Sequence, residues 1–106
     1  MDPKDYEGAF QLIAMAGNAK SRAMMAIREA REGNLEEAKK LLVEADEDLH
    51  AAHGSQTKML TQEARGNAVP VNIILVHAQD HLTGAMLVRD LADEFIEIHA
   101  ALAAKA

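Results

Sequence analysis

The chain has 106 residues, a formal net charge of −6 at pH 7, no cysteine, and aromatic residues at only 3% of its positions. This length fits one domain, and the lack of cysteine excludes disulfides and thiolate metal sites. The acidic balance disfavours nucleic-acid binding, because lysine and arginine on phosphates supply most of that affinity. The N-terminus lacks signal-peptide features and no apolar run spans a membrane, so we expect a cytoplasmic protein without membrane insertion.

The first predicted helix covers about residues 3–32. Its apolar residues recur in steps of three and four, which is helical spacing. Pro3 suits the first helical position, and Gly33 suits the position just after a helix end. Gly17 and Asn18 fall in the middle, and we expect the helix to continue through them.

The second predicted helix covers about residues 35–65 and shows the most regular apolar repeat of the chain. Asn34 and Glu37 have the spacing of a capping box at its start. The repeat runs from Leu35 to Leu60 and is interrupted by one polar residue, Gln56. His53 lies one turn before Gln56. These two residues either form a polar network at the edge of the core or line a cleft against the third helix.

The third predicted helix covers about residues 70–104 and is apolar around most of its circumference. Short connections between three long helices predict an all-α, antiparallel up-down-up three-helix bundle. A helix that is apolar nearly all round is buried on most sides. Two neighbouring helices cannot cover that much surface, so we expect the third helix to face other copies of the chain.

Polar residues interrupt the third helix at one place. His77, Asp80 and His81 are three and four residues apart, so they share one side of the helix. An ionisable group on a buried surface needs a partner, which leaves three hypotheses. The residues form hydrogen bonds within an interface, they bind a metal ion, or a histidine attacks phosphorus while Gln79 or His81 donates to the phosphoryl oxygens.

Four short stretches of the sequence resemble a known family. They lie in the family's order over essentially the whole chain, at residues 16–21, 33–35, 52–57 and 76–82, the last of them Val-His-Ala-Gln-Asp-His-Leu. The family is the lactose/cellobiose-type IIA component of the bacterial phosphoenolpyruvate-dependent sugar phosphotransferase system.

The resemblance implies a phosphoryl carrier that assembles as a homotrimer, a nine-helix bundle. His77 is then phosphorylated by the phosphocarrier protein HPr and passes the group to the IIB component for uptake of a β-linked disaccharide or oligosaccharide. Gln79 lies beside the active histidine. The residues themselves, rather than the resemblance, suggest His81 as a supporting residue and His53 and Gln56 as the lining of a cleft. Asp80 of three subunits binds a divalent cation, usually Mg²⁺. The sugar stays open, because a IIA component does not need to bind it.

Two other functions remain as alternatives. A histidine phosphotransfer domain of two-component signalling also carries a reactive histidine on a bundle helix. Such domains usually have four or more helices and a lysine soon after the histidine, whereas here no lysine follows until Lys105. The other alternative is a non-enzymatic helical scaffold or metal-binding protein.

Overall fold

A computed structural model describes residues 4–106, with side chains from residue 6 onward. It contains three helices, α1 (Lys4–Arg31), α2 (Leu35–Ala64) and α3 (Ile73–Ala104), which form a rod of 57 × 23 × 18 Å. Because the connections are short, the helices reverse direction at each one, so the order is up-down-up. The predicted all-α, three-helix chain is confirmed, and α1 is continuous through Gly17. The predicted start at Pro3 lies outside the described residues.

Glycines end the first two helices in the same way. Gly33 and Gly66 have φ angles of 89° and 87°, which favour a residue without Cβ. The backbone amide of the residue after each glycine donates a hydrogen bond to the carbonyl oxygen five residues earlier. These bonds run from Asn34 to Glu29 at 2.8 Å and from Asn67 to Gln62 at 2.9 Å. These contacts satisfy carbonyl groups that the helix leaves unpaired at its end. The predicted stop at Gly33 is confirmed.

The predicted capping box of α2 is wrong. The side chain of Asn34 makes no capping hydrogen bond, and its Nδ2 instead donates to Glu29 Oε2 at 2.8 Å. The reason is local geometry: Asn34 closes the end of α1 with its backbone, which leaves it at φ −89° and ψ 66°. A capping side chain normally needs an extended backbone.

The predicted start of α3 at residue 70 is also wrong by three residues. The helix begins at Ile73, because Asn72 has an extended backbone and its Oδ1 accepts a hydrogen bond from the Leu75 amide at 3.0 Å. This is the usual geometry of an N-cap. Pro70 therefore lies in the connection rather than in the helix.

Alanine at every seventh residue builds the core. The series comprises residues 9, 16, 23 and 30 in α1, residues 38, 45 and 52 in α2, and residues 78, 85 and 92 in α3, all at most 3% exposed. Such a seven-residue repeat keeps one side of each helix facing its neighbours. The small side chains let α1 pack closely against both other helices, while α2 and α3 meet over a smaller area.

The side of α3 that faces away from this core is apolar and uncovered in the single chain. We call it the α3 stripe, and its exposed members are Ile73, Val76, Asp80, Leu87, Leu91, Ile98 and Leu102. Ile73 is 80% exposed, and Leu87 and Leu102 are each 60% exposed. Contiguous apolar surface of this kind marks an interaction site.

Replacing Leu82 by alanine should weaken the fold strongly. Leu82 is fully buried between the helices, so Leu82→Ala removes packed atoms and leaves a cavity. We expect the free energy of unfolding to fall by about 2–5 kcal/mol, measured by urea denaturation at one fixed protein concentration. Val43→Ala is the control, because Val43 is 57% exposed on α2. Equal losses for the two variants would contradict this description of the core.

Candidate phosphohistidine site

His77 and His81 form a pair on the side of α3 that lies next to α1. Their Nε2 atoms are 2.9 Å apart, and the ring centroids are 4.3 Å apart with the planes at 75°. His77 is exposed and His81 is half-buried. One hydrogen must lie between two nitrogens at this distance, so one ring donates and the other accepts. The spacing of four residues on a helix brings the rings together, as the sequence predicted.

An apolar groove of about 500 Å³ lies beside His77, between the N-terminal parts of α1 and α3. Phe10 and Ile13 of α1 form one wall, and Ile73 and Ile74 of α3 form the other. A second groove lies on the other side of the pair, where His81 meets Gly17, Lys20 and Met24 of α1. The histidine pair is therefore open to a macromolecule that approaches along the α1–α3 edge.

Asp80 lies on the α3 stripe at the rim of the same apolar groove, and it is exposed. It interrupts a surface whose other members are aliphatic. Among the side chains that the structure describes, those of residues 6–106, no three from histidine, cysteine, aspartate or glutamate are arranged to hold a metal ion. A single chain therefore supplies one carboxylate on an apolar face, which is too few donors for a hard divalent cation.

Gln79 is two residues from His77, and its side chain points to the opposite side of the helix. Successive helical residues are rotated by about 100°, so a two-residue step gives roughly 200°. Gln56 Nε2 of α2 donates to Gln79 Oε1 at 2.6 Å, and Gln79 Nε2 donates to Met59 Sδ at 3.7 Å. Both glutamines are half-buried. Within one chain Gln79 therefore points away from His77, and the placement of Gln79 beside the active histidine, which the resemblance implies, stays a prediction.

His53 belongs to α2 and lies on the side of that helix that faces α3. It is exposed and lines a groove together with His50 of α2 and with Met86 and Arg89 of α3. One of the two sequence interpretations places His53 at such a cleft, and a functional role for the residue stays a prediction. That cleft is separate, within one chain, from the groove beside His77.

Arg89 is a polar residue that the sequence analysis missed. Its Nε and Nη2 donate to Asp46 of α2 at 2.5 and 2.9 Å, and its Nη1 donates to Asp93 at 2.8 Å. The hydrogen bond to Asp46 raises the pKa of the guanidinium further above its ordinary value. The sequence did contain a signal for this polar contact. Leu75, Leu82 and Ile96 lie on a spacing of seven residues, and Arg89 occupies the remaining position of that spacing.

The arrangement thus has two halves on opposite flanks of the α3 stripe. One flank carries the His77–His81 pair beside α1, and the other carries the Gln56–Gln79 pair beside α2.

A comparison with protein families matches residues 7–100 to the model of the lactose/cellobiose-specific IIA subunit of the PTS. The chain belongs to this IIA family. It is accordingly a phosphotransferase component of a sugar phosphotransferase system.

Individual relatives agree with this assignment. This IIA subunit is 47% identical over 90 residues to the lichenan-specific phosphotransferase enzyme IIA component of Bacillus subtilis. The aligned region covers 85% of this chain and 82% of that protein. It superimposes on the cellobiose-specific enzyme IIA of Bacillus anthracis with a TM-score of 0.95 and 42% identity, covering 100% and 97% of the two chains.

A further similar structure contains a partner protein. The chitobiose IIA of the Escherichia coli phosphotransferase system, solved in complex with HPr, matches this IIA subunit with a TM-score of 0.79 and 38% identity, covering 94% and 95% of the two chains.

None of the three helices within residues 4–106 combines the length and the hydropathy needed to cross a bilayer.

Removing the guanidinium of Arg89 should loosen the contact between α2 and α3. Arg89→Met leaves Asp46 without its paired donor, and we expect the free energy of unfolding to fall by roughly 1–3 kcal/mol. Urea denaturation measures this change. Arg31→Met makes the same exchange at an exposed position at the end of α1 and should change stability by less than about 0.5 kcal/mol. Equal stability of the two variants would show that the Arg89–Asp46 contact contributes nothing.

Proposed function

We propose that this chain carries a phosphoryl group on His77, which it accepts from phospho-HPr and passes to the IIB component of its transport system. The observation that supports this most directly is the exposed imidazole of His77, held 2.9 Å from His81 at the edge of an apolar groove. An uncharged imidazole is a good nucleophile near neutral pH. The family membership supports the same assignment, and the complex of a chitobiose IIA with HPr supports HPr as the donor.

The transfer exchanges one nitrogen–phosphorus bond for another. The lone pair of a His77 ring nitrogen attacks the phosphorus, and the bond to the donor's histidine nitrogen breaks with its electron pair remaining on the donor imidazole. In the second transfer a nucleophile of IIB attacks the phosphorus, and the nitrogen–phosphorus bond at His77 breaks with its electron pair remaining on the His77 imidazole. Because the bond that breaks is as reactive as the one that forms, positioning and charge stabilisation carry most of the catalysis.

His81 is suited to assist this exchange. Before transfer, the hydrogen between the two Nε2 atoms links the rings and limits the rotation of His77. After transfer, the N–H of His81 can donate to a phosphoryl oxygen instead of to a ring nitrogen. A hydrogen bond to a charged acceptor is stronger than one to a neutral acceptor, so the exchange favours the phosphorylated state.

The apolar walls of the groove suit protein docking. Phe10 is 57% exposed and Ile73 is 80% exposed, so both side chains have surface to bury when a partner covers them. Burial of apolar area drives association, and it also removes water that would hydrolyse the phosphoryl group. Partners that approach His77 in turn, first HPr and then IIB, would use this same surface.

We also propose that the chain works as a homotrimer, a nine-helix bundle with three copies of α3 around its axis. The α3 stripe provides the apolar surface for this contact, with Leu87 and Leu91 near its centre. Asp80 lies on the stripe, so a threefold arrangement would bring three carboxylates together. Three like charges at close range repel strongly unless a cation lies between them.

Those three carboxylates suit a hard divalent cation such as Mg²⁺, since oxygen donors are its preferred ligands. The donors fit only if three chains contribute, because one chain offers a single carboxylate. The cation would neutralise the charge at the axis, and the phosphoryl transfer at His77 does not use it.

The system to which the subunit belongs supports proposals for the class of its sugar and for its compartment. Similar proteins are specific for lichenan, cellobiose and chitobiose, so we propose a β-linked disaccharide or oligosaccharide without choosing among them. A IIA subunit that takes its group from HPr must share a compartment with HPr, which supports a cytoplasmic location.

His77→Ala should abolish labelling by phosphoenolpyruvate in the presence of HPr and the enzyme that loads it. The label on the wild-type chain should be acid-labile and stable to alkali, and peptide mapping should locate it at residue 77. His99→Ala serves as the control, because His99 lies on α3 several turns away. Retained labelling of His77→Ala, or labelling only by a phosphorylated response regulator, would refute the proposed function.

Asp80→Leu should keep the trimer intact without divalent cations. The substitution removes the like-charge repulsion and extends the aliphatic α3 stripe, so we expect equal or tighter association than in the wild type. Sedimentation equilibrium in the presence and absence of a chelator measures this. Asp80→Asn keeps the shape of the side chain and separates the effect of charge from that of added apolar surface. Dissociation of Asp80→Leu into monomers would contradict the threefold arrangement.

A further inference from the structure

Gly17 lies in the middle of α1, where the packing of the single chain does not require a glycine. The helix runs without interruption through this position, from Lys4 to Arg31. A Cβ added at Gly17 would meet no atom of another part of the chain within 4 Å. Glycine within a helix is less stable than alanine, because it loses more backbone freedom on folding. The helix therefore keeps an open space here although this lowers its own stability.

The open space belongs to the groove on the His81 side of the histidine pair. Gly17 lines this groove of about 510 Å³ together with Lys20 of α1 and His81 of α3. His77 Nε2 faces His81 Nε2 at 2.9 Å. A phosphoryl group on His77 Nε2 takes the place of that contact, so it comes to lie beside His81. The free volume next to it on the α1 side is the groove that Gly17 lines.

Lys20 supplies a positive charge to the same groove. Its side chain is exposed, and among the side chains of residues 6–106 it has no partner in a hydrogen bond or an ion pair. Arg22 nearby is instead paired with Glu44 and Asp48. Arg28 also lines the groove, but it lies about 12 Å further along α1 than Lys20.

A cation is needed at this place because the chain is already acidic. A phosphoryl group adds about 1.5 to 2 negative charges near pH 7, and the unmodified chain carries a formal net charge of −6. The ammonium group of a lysine is a common partner of phosphoryl oxygens. Gly17 and Lys20 are three residues apart, so the open space and the charge lie on one face of α1.

We propose that the groove on the α1 side of His81 receives the phosphoryl group of phospho-His77, with Gly17 leaving room for its oxygens and Lys20 binding them. This inference rests on the proposed function, and it does not depend on the trimer, because these residues belong to the same chain as His77. The two grooves beside the histidine pair then have different tasks. The apolar groove at Phe10 serves the docking of partners, and the groove at Lys20 holds the group that is transferred.

Gly17→Ala tests the role of the open space. The urea midpoint should stay equal or rise, because alanine favours the helix and its methyl group meets no neighbour. The maximal rate of transfer from phospho-HPr should nevertheless fall roughly 10-fold or more, since the methyl group occupies space that a phosphoryl oxygen needs. Gly54→Ala is the matched control, because Gly54 is an exposed glycine inside α2 whose added Cβ also meets nothing within 4 Å.

A wild-type rate in Gly17→Ala, or the same loss in Gly54→Ala, would overturn the role of Gly17. Sedimentation of each variant distinguishes a further cause. Dissociation of Gly17→Ala into monomers would mean that the glycine allows a neighbouring copy to come close, and this result would also overturn the inference.

Substitutions at Lys20 test the role of the charge without any partner protein. The phosphorylated chain is titrated by ³¹P nuclear magnetic resonance, which reports the pKa of the phosphoryl group. An ammonium favours the more negative form, so Lys20→Met should raise this pKa by roughly 0.5, a small change because the groove is open to solvent. Lys20→Arg keeps the charge and should leave the pKa near that of the wild type.

Lys40→Met is the control for the loss of one positive charge, since Lys40 is exposed on α2. An unchanged pKa in Lys20→Met, or an equal rise in Lys40→Met, would overturn the role of Lys20. This result does not depend on the fold of Gly17→Ala.

These measurements separate the inference from the proposed function. A wild-type chain that takes no label from HPr on His77 overturns both. A wild-type chain that is labelled on His77, with a wild-type rate in Gly17→Ala and an unchanged pKa in Lys20→Met, overturns only the role of the groove.

Discussion

The burial of Ala78, Leu82 and Ala85 against α1 fixes the rotation of α3 about its own axis, and the rest of the molecule depends on that rotation. Successive residues of a helix differ by about 100° in direction, so one buried face determines where every other side chain points. His77 and His81 then lie beside α1, Gln79 lies beside α2, and the α3 stripe with Asp80 faces away from the core. A different rotation would bury the histidines or expose the alanines.

The two contacts of α3 are built differently. Its contact with α1 uses small alanine side chains and is close and apolar, whereas its contact with α2 is more open and includes two polar layers. Gln56 bonds Gln79 in one layer, and Arg89 bonds Asp46 in the other. Hydrogen bonds are directional, so these layers specify the alignment of α2 and α3 where close packing does not.

This construction separates two requirements that conflict. A histidine that exchanges phosphoryl groups with two proteins must stay accessible, while the apolar α3 stripe must be covered to be stable in water. Placing His77 on the flank of the stripe, rather than at its centre, meets both needs in the proposed trimer. In that proposed trimer the centre would carry Asp80, whose charge would need a compensating cation there.

The sequence by itself determined the features that depend on near neighbours in the chain. The helices and their glycine stops follow from periodicity and from the φ angles that Gly33 and Gly66 adopt, and the meeting of His77 with His81 follows from a four-residue step within one helix. The family could likewise be recognised from local motifs. These signals need no knowledge of how the helices pack.

Only the tertiary structure decided the features that join distant residues. The partner of Arg89 is Asp46, 43 residues away, and the flank to which Gln79 points depends on where α1 and α2 lie around α3. The cap of α2 and the start of α3 differed from prediction, because Asn34 is engaged with the end of α1 and Asn72 supplies the cap of α3. Helical periodicity predicts which residues share a face of a helix. Which neighbouring helix that face contacts depends on how the three helices pack.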